Sequence, residues 1–194
     1  MTGKPYARVM DRSLKPHGFT RKGLDWVRVR GDMEETVNIQ PSWLGGRTVN
    51  LLIKDLETEK LFVEVFAAKG ATRMQAISER IGPLIDGRDR WWRDEAGGPE
   101  NMAELTVSCG LPWFDKVRTL EEQASNWFGR HSLMRPGYYG PGIVALALTL
   151  YRMGEFEEAW AAVNKPVPRT AIATSVRDVA CVRDWLRAKG IPPN

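Results

Sequence analysis

Apolar and polar side chains alternate with a period of two between residues 18 and 54, the spacing that sends neighbours to opposite faces of a strand. Three strands are expected there, over residues 18–30, 36–40 and 48–54, with turns at Gly31-Asp32 and Gly45-Gly46. The pattern places Val27 and Val29 opposite Trp26, Arg28 and Arg30. It places Val37 and Ile39 opposite Asn38 and Gln40, and Val49, Leu51 and Ile53 opposite Thr48, Asn50 and Leu52. A fourth strand is expected over 61–67, where Val63 and Val65 alternate with Phe62, Glu64 and Phe66. Short turns between neighbours imply antiparallel pairing. One face is then aliphatic, and the other mixes amide, guanidinium and aromatic groups.

Elsewhere the period is helical. Tyr6, Val9, Met10 and Leu14 form one stripe of a helix over 5–15, which Pro16 and Gly18 stop. A helix is expected over 72–84, ended or kinked at Gly82-Pro83. Residues 86–98 read as a charged loop carrying Trp91-Trp92. Asn101 is the expected cap of a helix over 102–109 closed by Gly110, and 111–114 reads as an apolar crossing. Thr119 and Glu122 have capping-box spacing for a helix to Trp127. The Pro- and Gly-rich stretch 129–142 is the expected boundary. Beyond it lie a helical hairpin, 143–153 and 155–163 joined at Gly154, a linker at 165–169, and a last helix over 171–189. The fold class is therefore α+β: an antiparallel sheet of four or five strands with helices on one face, over 1–130, and an α-helical extension over 131–194 packed on it.

The run Leu14-Lys-Pro-His-Gly-Phe-Thr-Arg-Lys-Gly23, a Trp three residues on, Val37-Asn-Ile-Gln-Pro-Ser42 and Thr48-Val-Asn-Leu51 resemble the start of the DUF4304 family of bacterial domains. Arg80-Ile-Gly82, Asp89-Arg-Trp-Trp92 and Leu111-Pro-Trp113 resemble its second half. The resemblance spans roughly residues 5–130 and rests on the order and spacing of its motifs. It implies an α+β domain of unknown function, and it brings no catalytic residues to this chain.

Composition narrows the chemistry. The net charge is +4, but residues 1–30 hold eight Lys and Arg against Asp11 and Asp25. Cys109 and Cys181 are too far apart in sequence for a zinc or redox spacing. The most apolar run, residues 143–150, is far below the ~20 residues of a membrane span, and no signal-type stretch opens the chain. A soluble, cytoplasmic protein is expected. His17, at a helix end, and His131, in a Gly-rich loop, belong to no nucleophile motif. Cys109 reads as a buried structural thiol. Asp86, Asp89, Asp94 and Glu95 are interleaved with Arg88, Arg90 and Arg93, which would compete with a cation. No catalytic residue, metal ligand or cofactor is assigned.

Two features suit binding. If the strands pair in order, Trp26, Arg28, Arg30, Asn38, Gln40, Asn50, Phe62 and Phe66 share the second face. Aromatic and Arg groups there can stack bases, and amides can bond base edges. The same face can grip a protein, or the C-terminal helices can cover it. In Trp91-Trp92, one ring is expected to anchor the loop and the other to reach the surface, where Trp favours binding. The first expectation is a non-catalytic module that binds another protein, with a regulatory or immunity role by analogy. The alternative is single-stranded nucleic-acid binding through the basic aromatic face. A third is an enzyme of unknown class using the 86–95 loop.

Overall fold

A computed structural model describes residues 4–67, 74, 76–93, 96–127, 139–166, 171 and 173–191. The chain divides into two compact units that interleave in sequence: residues 1–53 with 78–116, and residues 54–77 with 117–194. The boundary expected at 129–142 falls largely outside the described residues.

The first unit is built on a five-stranded antiparallel sheet in sequence order: β1 (Thr20–Lys22), β2 (Asp25–Arg30), β3 (Met33–Pro41), β4 (Arg47–Asp55) and β5 (Ile77–Arg80). The long strand expected over 18–30 is in fact two strands. Gly23, at φ 70°, turns the chain back so that Arg21 faces Trp26. Strand β5 replaces the middle of the helix expected over 72–84, and only its last residues are helical. The helix itself begins later, as α3 (Ile81–Asp86), with Pro83 in its first turn, where a missing N–H costs no helical bond.

Register decides the faces. Trp26 pairs with Val37, Arg28 with Glu35 and Arg30 with Met33, and directly opposed residues share a face. The core face thus carries Trp26, Arg28 and Arg30 together with Val37 and Ile39. Val27 and Val29 point the other way, and Val29 is 56% exposed. This inverts the expected polarity of β2. On β4 Val49, Leu51 and Ile53 are buried as expected and Asn50 and Leu52 are half-buried, while Thr48 on the second face is fully buried too.

Helix α1 (Lys4–Leu14) buries Tyr6, Ala7, Met10 and Leu14 and leaves Arg8 and Arg12 in solvent. Helix α4 (Gly98–Leu105) does not stop at Gly110. It runs through a π-helical turn, Thr106–Gly110, into α5 (Leu111–Lys116). The residues expected to cross as an apolar strip are therefore helical. A Cβ at position 110 would lie 3.0 Å from the Ile81 Cδ1 and 3.3 Å from a Leu51 methyl, so glycine serves close approach here rather than helix closure. The wide turn also suits Pro112, which cannot donate to a regular ladder.

The second unit is helical. The strand expected over 61–67 is part of α2 (Leu56–Phe66). Asp55 caps it, its Oδ1 accepting from the Glu57 and Thr58 amides at 2.8 and 2.9 Å. Phe62 and Phe66, one turn apart, stack with centroids 4.6 Å apart. The other Asp55 oxygen accepts from Arg152, which compensates a fully buried carboxylate. Helix α6 (Leu120–Asn126) opens with the expected capping box of Thr119 and Glu122. Helix α7 (Tyr139–Met153) starts four residues before the expected Ile143, admitting Pro141 in its first turn. Helices α8 (Phe156–Val163) and α9 (Ala173–Ala188) follow as expected.

Candidate functional site

The surface expected to unite eight side chains does not form as one face. Trp26 is fully buried and donates from Nε1 to the Asp11 carboxylate of α1 at 3.1 Å. Arg28 and Arg30 converge on Glu35, a fully buried carboxylate, at 2.6 Å each. Arg30 also reaches Asp115 at 2.7 Å, and the Arg28 guanidinium lies 4.4 Å from the centre of the Phe19 ring. Burial alone would lower the Arg30 pKa. Its hydrogen bonds to Asp115 and Glu35, and their charges, outweigh that and raise it above the ordinary value. These arginines neutralise a buried acid. Phe62 and Phe66 belong to α2.

The amides occupy the opposite face. Asn50 Nδ2 donates to the side-chain carbonyls of Asn38, at 3.1 Å, and Gln40, at 2.9 Å, and Asn38 donates to Asp25 at 2.5 Å. The result is a hydrogen-bonded ladder across β2, β3 and β4. By strand alternation the same face carries Val27, Val29, Thr36 and Leu52, whereas Trp26, Arg28 and Arg30 stand on the other. The premise for base stacking on a mixed face is lost with this register.

Trp91 and Trp92 do part company, as expected. Trp92 is buried, bonds Asn101 from Nε1 at 2.9 Å, and exchanges two backbone hydrogen bonds with Arg47, at 2.7 and 2.8 Å. Trp91 stays half-exposed, bonded to Asp89 at 3.0 Å beneath the Arg80 guanidinium. Asp89 itself pairs with Arg80 at 2.6 Å. Asp94, Glu95 and His131 lie outside the described residues. Among the described residues no group of three or more His, Cys, Asp or Glu is placed to hold a metal. Cys109 is half-buried rather than enclosed, 3.7 Å from the Ser108 hydroxyl.

Among the described residues the most exposed large apolar group lies in a turn, outside the strand pattern. Between β3 and β4, Trp43 is 92% and Leu44 76% exposed. The turn that carries them is fixed at its base. Ser42 N–H donates to the Gly46 carbonyl at 3.0 Å, Gly45 N–H to the Ser42 carbonyl at 3.2 Å, and Leu44 N–H to the Ser42 hydroxyl at 3.1 Å. The backbone bonds between Arg47 and Trp92 hold the next residue. Leu24, in the β1–β2 turn, is also exposed, and its carbonyl accepts from the Ile39 amide, so both turns lie at one end of the sheet. Trp91 borders the same end: its Cβ lies 3.8 Å from where a Cβ on Gly46 would stand. The sequence carried a signal for this: Trp and Leu enclosed by Pro41-Ser42 and Gly45-Gly46, in a turn with no sheet face to take them.

Among the described residues no helix is long and apolar enough to cross a membrane. Residues 10–115 match the family model of DUF4304, a domain of unknown function. No curated protein and no solved structure matches the chain.

Proposed function

We propose that this chain, which belongs to the DUF4304 family of domains of unknown function, is a protein-binding module whose contact surface is the β3–β4 tip. The observation that carries this reading is the near-complete exposure of Trp43 and Leu44 on a turn pinned at its base. A free Trp ring in water forgoes the burial that stabilises most large side chains. Trp is also the residue type most enriched at binding hot spots. Because the turn is hydrogen-bonded, little conformational freedom has to be lost when the ring is covered. Leu24 and half-exposed Trp91 extend the apolar area from the tip.

The test is capture from source-cell lysate by wild-type protein and by Trp43→Ser, at low and moderate salt. The expected outcome is one protein recovered near stoichiometry at both salts and reduced about tenfold or more by the substitution. Identical recovery by both proteins would remove the tip from the account. Nucleic acid recovered only at low salt, unaffected by Trp43→Ser, would favour an electrostatic role for the basic N-terminal segment instead.

A further inference from the structure

A second exposed apolar surface lies in the helical unit. Phe156 opens α8 and is 45% exposed. Its ring centroid lies 5.4 Å from that of Tyr151 on α7, and Tyr151 lies 4.7 Å from Trp185 on α9. Three helices thus contribute one continuous strip of rings, with Tyr151 and Trp185 half-exposed. At its far end Trp185 Nε1 donates to Glu64 at 3.0 Å, and Lys189 pairs with Glu64 at 3.0 Å. The Lys189 ammonium stands 5.2 Å from the centre of the Trp185 ring. The strip already seats one cation of its own chain.

The charge around Phe156 is one-sided. Glu155, Glu157 and Glu158 are all exposed and make no ion pair with a described residue. Acids in the first turn of a helix are favoured by its dipole, and that accounts for Glu157 and Glu158. It does not account for an exposed phenyl ring set between Glu155 and Glu157 and continuous with two more. Ring faces and unpaired carboxylates both attract ammonium and guanidinium groups, and the rings also take aliphatic side chains.

We infer that the α7–α8 turn and its aromatic strip form a docking surface for a cationic segment of a partner protein, one that interleaves Lys or Arg with aliphatic residues. The carboxylates set the charge of the occupant and the rings demand its apolar component. Both are needed, because a purely ionic contact at an exposed site is screened by salt.

The experiment is fluorescence anisotropy of a labelled Lys/Leu/Gly peptide titrated with the full chain. A Lys/Gly peptide of equal charge and a Glu/Leu/Gly peptide are the controls. Phe156→Ser and the pair Glu157→Lys, Glu158→Lys are the variants; the first gives up the ring contact with Tyr151 and the second opposes the α8 dipole, so each is expected to lose a little stability, and a denaturation midpoint well above the assay temperature verifies that each is folded. Binding of the Lys/Leu/Gly peptide is expected to exceed that of either control about tenfold and to fall about tenfold in each variant. It should weaken as salt rises to physiological strength. Failure of the wild-type chain to bind, equal binding by the variants, or a Lys/Gly peptide binding as tightly would each overturn the inference. A chain whose own mass rises with concentration, and does so only with Phe156 present, would assign the surface to a second copy and overturn it too.

Discussion

Trp26 and Trp43 belong to one antiparallel sheet and meet opposite fates. Trp26 faces the core, fully buried, with its N–H satisfied by Asp11. Trp43 stands in a turn at the end of the next hairpin, 92% exposed. The difference is one of position relative to the strand pleat. Within a strand, register selects the face and the core supplies the partners. In a turn beyond the last paired residues there is no face to join. The polar residues divide in the same way. Arg28 and Arg30 were carried into the core with Trp26 and required a buried acid, Glu35. Asn38, Gln40 and Asn50 were left on the other face and satisfy one another.

The hardest way to break this arrangement is at Glu35. Removing it strands two guanidinium groups that are largely enclosed. Loss of one partner of a buried ion pair costs about 3–5 kcal/mol. Arg30 retains some solvent and Asp115, so Glu35→Ala is expected near the lower end, about 3 kcal/mol, with Glu35→Gln milder because it keeps the shape and one acceptor. Urea denaturation of both variants measures this. A loss for Glu35→Ala below about 1 kcal/mol would mean that the network does little to hold the core face.

Asp11 gives the next effect. Asp11→Ala leaves the buried Trp26 N–H without its acceptor, which costs about 1–3 kcal/mol. Asp11→Asn should restore most of it, since an amide oxygen still accepts. Equal stability of the two variants would show that charge on α1, rather than the hydrogen bond, is what matters there.

The sequence made β4 legible and β2 misleading for a reason visible in particular residues. On β4 the buried side carries Val49, Leu51 and Ile53, so apolarity and burial coincide. On β2 the aliphatic pair Val27 and Val29 faces outward, while Trp26, Arg28 and Arg30 face in. Binary pattern alone inverts such a strand. The turn contained the correction. A two-residue turn at Gly31-Asp32 pairs Arg30 with Met33, and stepping back along both strands brings Arg28 to Glu35 and Trp26 to Val37. Opposite charges directly across the pair were the second signal. In α2 the alternation of Val63 and Val65 competed with a helical reading, and the Asp55 cap, with Glu57 and Glu59 in the first turn, decided for the helix. Of the candidate site, the division of labour between Trp91 and Trp92 was legible, whereas the strand pattern gave Trp43 and Leu44 no face and so no role. A turn defined by its Gly and Pro invites attention to conformation and hides what its side chains present. Phe156, the first residue of α8, carries the same apolar signature as a core position of a helical hairpin.

Trp43 should behave as the inverse of Trp26 in every stability measurement. Trp43→Ser removes no buried contact, so the denaturation midpoint should correspond to a change within about 0.5 kcal/mol, even as partner capture falls. The chain has eight Trp, and Trp43 is far more exposed than the buried Trp26, Trp92, Trp113, Trp127 and Trp160. Iodide, which quenches only rings it can touch, should therefore lose its most accessible target in Trp43→Phe. The quenchable share of tryptophan emission should drop, with Trp91 and Trp185 supplying what remains. A quenching curve unchanged by the substitution would mean that the ring is already covered in solution, by its own chain or by a second copy. Addition of the captured partner to wild-type protein should reproduce the effect of the substitution, because a covered indole and an absent one look alike to iodide.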